Sequence, residues 1–199
     1  MVPQTAGLER YIPRVALEWD NRFGASRWAQ VEGSLLFVDI SGFTNLSERL
    51  AARGRIGAEE LTAVLGGVFG RMLDIVHRRG GTMLKFGGDA LLLLFEDEDH
   101  ALQAASAAIE MRAALRLASR EKTTVGRVNL KMSSGIHTGF VDLFLVGDSH
   151  LELLVTGPAA SKTTEMEGTA DAGEILVSED TARRLPARFV GEAKGGGLL

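Results

Sequence analysis

The chain of 199 residues contains no cysteine. Disulfides and thiolate metal sites are therefore excluded, and a reducing cytoplasm is the expected compartment. No apolar run approaches the ~20 residues that a membrane span needs. Between Met1 and Asp20 there is no sustained apolar stretch of the signal-peptide kind. An excess of positive charge is also missing. Lys and Arg number 22 against 26 Asp and Glu, for a formal net charge of −4, which disfavours a nucleic-acid surface. Internal repeats and low-complexity segments are absent too. The remainder is ordinary for a globular domain, 45% hydrophobic and 24% charged. The length suffices for one domain with a sizeable core.

The pattern of apolar residues predicts the elements. LERYIPRVALEWD has helical character, with Pro13 in a first turn. GSLLFVDI is a run of strand length that ends in an aspartate. In SGFTNLSERLAARG, the Asn45 and Glu48 spacing suits a capping box and Gly54 a helix stop. From Glu59 to Arg79 the apolar spacing is that of a helix with one buried face. TMLKF and ALLLLF predict a hairpin around Gly87-Gly88-Asp89. An alanine-rich helix over Asp97 to Arg120 follows, then an alternating strand from Val128 to Ile136. FVDLFLVG and HLELLVT predict a further strand pair. Pro158 to Gly168 predicts a helix, EILVS a strand and SEDTARRLP a last short helix. The order predicts an α+β, ferredoxin-like βααββαβ core, with one antiparallel sheet and helices on one face. Residues 1–32 are read as an N-terminal extension packed on a domain spanning 33–199. The ending GEAKGGGLL reads as a cut at a domain boundary in a longer chain.

Two aspartates carry the chemistry. Asp39 ends the first predicted strand and Asp89 sits in the hairpin turn, fifty residues further on. In a ferredoxin-like sheet those positions converge at one end. A pair of carboxylates suits Mg²⁺, which takes one or two of them beside phosphate oxygens and water. Ser41-Gly42-Phe43-Thr44 opens a helix next to Asp39. Unpaired N–H groups there suit a polyphosphate. Gly42, Gly87 and Gly88 leave room for close approach. Taken singly, a strand-end aspartate is ordinarily a cap, a Gly-Gly-Asp turn is ordinary turn chemistry, and Lys85 extends into water. The pairing of VDISGF with KFGGD across a long amphipathic helix favours a site.

FVDISGFTNLSERL and LKFGGDALLLLF resemble the two metal motifs of class III nucleotidyl cyclases. The likeness runs from about Leu35 to Ser178. Through LERYIPRVAL and VGDSHLELLVTGPA it is closest to the C1 domain of bicarbonate-regulated soluble adenylyl cyclases. The resemblance implies a head-to-tail pair of cyclase domains with the active site between them. It implies two Mg²⁺ (or Mn²⁺) ions held by Asp39, Asp89 and the Ile40 carbonyl. Ser41, Gly42, Phe43, Thr44 and Gly88 would hold the phosphates. ATP would become cyclic AMP and pyrophosphate by attack of the 3′-hydroxyl on the α-phosphate.

The same resemblance marks departures. The opposite partner in such a pair supplies a base-reading lysine, an Asp or Thr, an Asn and an Arg. Lys85 matches the lysine, but the other three positions hold Leu154, Ser161 and Glu165. A glutamate in place of the arginine would repel the charge it should stabilise. Losing one such stabiliser lowers the rate ~10²–10³-fold. A homodimer would then be inactive or very weak, and a C2-type partner would complete the site. The second, pseudosymmetric pocket would contain Lys85, Val155, Lys162 and Thr164, with bicarbonate as a candidate effector. Thr164 stands where the bicarbonate-binding arginine belongs, and Lys162 cannot reproduce its bidentate fork. A degenerate cyclase fold that binds nucleotide or small anions without turnover is the alternative. Guanylyl cyclases usually carry an acid at the position of Lys85. GGDA also lacks the acidic fourth letter of a GGDEF signature.

Overall fold

A computed structural model describes residues 12–118, 122–127 and 129–199. Two short helices, α1 (Arg14–Leu17) and α2 (Trp19–Phe23), lead into the long strand β1 (Trp28–Ser41). Then come α3 (Phe43–Ala51), α4 (Arg55–Arg78), β2 (Thr82–Gly87), β3 (Ala90–Phe95) and α5 (His100–Ala118). A small hairpin, β4 (Lys122–Thr123) with β5 (Gly126–Arg127), precedes β6 (Lys131–Val146). The chain closes with β7 (Glu152–Thr156), α6 (Gly157–Thr169), β8 (Ile175–Ser178), α7 (Glu179–Ala182), β9 (Ala193–Lys194) and β10 (Gly197–Leu198).

The βααββαβ order is the expected one, from β1 through α3, α4, β2, β3 and α5 to β6. The sheet runs β2-β3-β1-β6-β8-β10-β9, with β7 also paired to β6. All these pairs are antiparallel except β6 with β8. β1 is central, between β3 and β6, as a ferredoxin-like core requires.

Alternation along β1 splits the core in two. Leu36, Val38 and Ile40 face α3, α4 and α5 in the larger cluster. Leu35, Val31 and Ala29 face the other way, onto Val15 and Trp19 of α1 and α2 and Ala159 of α6. Helices therefore cover both faces, not one. The second cover escapes a reading by order because α6 follows β7 and returns over the sheet. Its backbone lies directly on β6: a Cβ at Gly135 would come within 2.2 Å of the Glu167 amide nitrogen.

Two local expectations change. β6 runs unbroken over 16 residues, so FVDLFLV continues the strand that begins at Lys131. Between Ile136 and Phe140 the one glycine, Gly139, is the sole break signal, and no proline interrupts the strand. The Asn45–Glu48 capping box does not form, because α3 starts at Phe43 with Gly42 as its N-cap. The terminal glycines turn the β9–β10 hairpin at the sheet edge. Leu8 to Tyr11, the last residues of the alanine-rich helix and Val128 lie outside the described residues.

Candidate active site

β1 and β3 bring the two aspartates together. Asp39 pairs with Ala90 in the β1–β3 register, and the Ile40 amide donates to the Asp89 carbonyl at 3.0 Å. The hairpin tip that carries Gly88 and Asp89 thus ends beside Asp39. Phe86, just before that tip, packs edge-on against Phe69 of α4 at 4.8 Å between ring centroids.

Asp39 shares the sheet face covered by α6. Directly across β6 lies Ser133, whose hydroxyl donates to Glu167 Oε1 of α6 at 2.7 Å. The Asp39 carboxyl is pushed up from its ordinary value, first by burial, then by the charge of Asp89, then by that of Glu167. Neither Asp39 nor Asp89 has a cation partner among the described residues. A half-buried carboxylate crowded by a second one, with no counter-charge, fits a hard divalent cation. Among the described residues, no group of three or more His, Asp or Glu side chains is arranged for a metal. The fitting set is therefore the two aspartates with a backbone carbonyl such as that of Ile40.

The SGFT turn follows at once. Ser41 is the last residue of β1, and its hydroxyl donates to the Lys131 carbonyl at 3.4 Å. Gly42 has φ 91°, and a Cβ there would lie 2.4 Å from the Asn129 carbonyl oxygen. Only glycine fits both constraints. Phe43 and Thr44 open α3, which no side chain caps. Its first N–H groups have no intrahelical partner, and they lie one residue beyond the end of β1.

The second group of predicted residues is dispersed. Lys85 shares the Asp39 face of the sheet, two residues from the hairpin tip, and pairs with Glu152 Oε1 of β7 at 2.5 Å. That ion pair holds the Glu152 carboxyl below its ordinary value, through the hydrogen bond first and the charge second. Leu154 is 42% exposed, whereas Val155 is half-buried and pairs with Leu143 of β6. On α6, Lys162 bonds Glu165 at 2.8 Å, Thr164 donates to the Ala160 carbonyl, and Ser161 is exposed. Glu152 and Glu167 were missed by the sequence reading. Both act through pairings distant in the chain, and neither lies in a motif.

Comparison with known proteins identifies the family and the fold. The chain is 28% identical over 152 residues to human adenylate cyclase type 10, covering 74% of this chain and 9% of that protein. It is equally identical over 171 residues to a membrane guanylyl cyclase of Dictyostelium discoideum, covering 83% of this chain and 11% of that one. The chain thus spans about a tenth of the length of these relatives. The crystal structure of the guanylyl cyclase Cya2 superposes with a TM-score of 0.71 at 29% identity, covering 87% of this chain and 92% of that one. The sequence profile of the adenylate and guanylate cyclase catalytic domain matches residues 28–196; the chain belongs to that family, the class III cyclases.

Proposed function

We propose that this chain is the metal-binding, C1-type half of an adenylyl cyclase, completed by a C2-type partner domain. One observation carries the reading. The fold unites Asp39, Asp89 and the SGFT turn at one end of the sheet, while Leu154, Ser161 and Glu165 offer no Asp, Asn or Arg for a second site. In this reading the domain is cytoplasmic and spans 33–199, with residues 1–32 as its extension. Among the described residues no helix is long and apolar enough to cross a membrane.

In the reaction, the 3′-hydroxyl of ATP gives its proton to water, and its oxygen bonds to the α-phosphorus. The bond from that phosphorus to the bridging oxygen breaks, and pyrophosphate leaves. Two bound Mg²⁺ or Mn²⁺ ions would acidify the hydroxyl and neutralise charge on the phosphates. Asp39, Asp89 and the Ile40 carbonyl would hold them. The first N–H groups of α3, with Gly88 leaving room at the hairpin tip, would hold the triphosphate. No side-chain nucleophile is needed.

A second reading rests on the Lys162–Glu165 ion pair. An acid held where a transition-state cation belongs suits a regulatory domain that binds nucleotide or small anions without turnover. The deciding experiment mixes this chain with a C2-type domain carrying the Asn and Arg and measures cyclic AMP and cyclic GMP. Cyclic AMP formed with Mg²⁺ or Mn²⁺ supports the first reading. Cyclic GMP alone changes the substrate, and no product in any pairing favours the second reading.

A further inference from the structure

A second charged cleft lies between α5, the segment leading into β6 and the loop that joins α6 to β8. Arg112, Arg116, Asn129 and Lys131 line it over an apolar floor that includes Leu115 and Met132. Its volume is about 250 Å³, and no carboxylate lines it. Arg112 is half-buried, and its hydrogen bond goes to an uncharged group, the Gly173 carbonyl at 3.1 Å. Among the described residues, Arg116 and Lys131 have no ion pair. The carboxylates of the same loop, Asp171 and Glu174, are both held by Lys194.

Cations on a helix face are ordinarily solvated singly and signify nothing. Here Arg112 and Arg116 stand one turn apart, where like charges oppose each other. Burial and the Arg116 charge both lower the proton affinity of Arg112. Two planar guanidinium forks and an ammonium around one cleft match a polyvalent oxyanion. The volume exceeds what one phosphate group fills.

The cleft shares a wall with the phosphate-binding turn. Lys131 pairs with Ser41 in the β1–β6 register, and its carbonyl accepts from the Ser41 hydroxyl. The Asn129 carbonyl is the group that Gly42 packs against.

We propose that this cleft binds a small phosphate-bearing anion, and that its occupancy is transmitted to Ser41 and Gly42 through Asn129 and Lys131. The binding stands on the cleft alone; the consequence for catalysis rests on the cyclase reading. Free pyrophosphate and the phosphate tail of a nucleotide present the same chemistry.

Isothermal titration with pyrophosphate, inorganic phosphate and ATP, in metal-free buffer with EDTA, tests the binding. The chain should bind pyrophosphate or ATP in the absence of metal. Arg116→Glu, an exposed change that leaves the core intact, should weaken this at least about tenfold, the loss expected of one charge-assisted contact. A remote charge reversal, Arg183→Glu, should not. Tighter binding of pyrophosphate identifies the free anion as ligand, and tighter binding of ATP the nucleotide. No binding at millimolar concentration overturns the proposal. So does equal binding by Arg116→Glu, which would put the anion elsewhere, or equal loss in both variants, which would make it net charge. Amide exchange over residues 41–46 should slow on binding in the wild type and not in Arg116→Glu; unchanged exchange overturns the transmission. None of these readouts requires turnover, so failure of the cyclase reading would show separately, as absence of product with a C2-type partner.

Discussion

Asp39 and Asp89 are fifty residues apart in sequence, yet the Ile40 amide that follows one donates to the carbonyl of the other at 3.0 Å. That single β1–β3 contact sets the two carboxylates at one end of the sheet. In the cyclic AMP assay with a C2-type partner, Asp39→Ala or Asp89→Ala should each lower the rate by at least ~10²–10³-fold. Activity surviving either change would dismiss the two-metal assignment.

The same pair should show in stability without metal. Asp39 holds its proton more tightly folded than unfolded, chiefly through burial and then Asp89. The folded state therefore loses stability as pH rises through the unfolded carboxylate range toward the raised folded value. At neutral pH in EDTA, Asp39→Asn should melt higher than wild type. The gain should vanish in acid, where wild-type Asp39 is protonated in both states. A variant that melts lower at neutral pH would mean that Asp39 has a counter-charge.

Gly42→Ala should destabilise by about 1–3 kcal/mol, the range for a residue forced into left-handed backbone. Two constraints act together there: the φ of 91°, and the Asn129 carbonyl oxygen 2.4 Å from where the alanine Cβ would sit. Thermal melting checks this, and a melting temperature equal to wild type would show that the turn relaxes freely.

Away from the candidate active site, acid should weaken the fold through histidine. Arg184 Nη1 lies 3.3 Å from His100 Nε2, and a guanidinium only donates. Nε2 therefore accepts, and the neutral ring carries its proton on Nδ1, which donates to Ser34 Oγ at 2.8 Å. Ser34 in turn meets Thr138 at 2.6 Å. Burial first and the Arg184 charge second lower the His100 proton affinity, against the opposing charge of Glu32. His137 is lowered in the same sense by burial, with Lys162 adding and Asp180 opposing. Stability should be full above the unfolded histidine value of about 6.5 and fall as pH drops below it. Melting measured across that range should be flatter for His100→Gln; an identical slope would remove His100 from the account.

How much of this could be read beforehand depends on distance along the chain. The FVDISGF and KFGGD motifs were legible because their chemistry is local, and a ferredoxin-like order places β1 beside the hairpin strand. Glu167 and Glu152 were not, since Glu167 reaches Ser133 and the neighbourhood of Asp39 only through the packing of α6 on Gly135. Glu152 matters only because β7 returns close to β2. The covering of the second face was hidden for the same reason: α1, α2 and α6 reach it through tertiary packing.

Lys85 gives the effector question a concrete form. Any bicarbonate at that lysine would have to displace the Glu152 carboxylate 2.5 Å away. With a C2-type partner present, bicarbonate at fixed pH should raise cyclic AMP output, and Glu152→Gln should increase the response at low bicarbonate. Equal rates with and without the anion, in both proteins, would end the bicarbonate reading.

The sharpest test restores what the chain lacks. If the proposed C1-type reading is right and Leu154, Ser161 and Glu165 are all that separate this chain from a self-sufficient cyclase, then Leu154→Asp, Ser161→Asn and Glu165→Arg together should let the isolated chain make cyclic AMP. All three side chains are surface positions, Leu154 at 42% exposure, with Ser161 and Glu165 one turn apart on α6, so the fold should accept them. Replacing Glu165 also frees Lys162 from its ion pair. Because residues of one machinery act as a unit, each single change should do little, while the triple variant should exceed the wild-type background by ~10²-fold or more, the scale of one restored electrostatic stabiliser. That activity should disappear again with Asp39→Ala. A folded triple variant without product, alongside a wild type that is active with a C2-type partner, would show that the missing determinants lie outside these three positions.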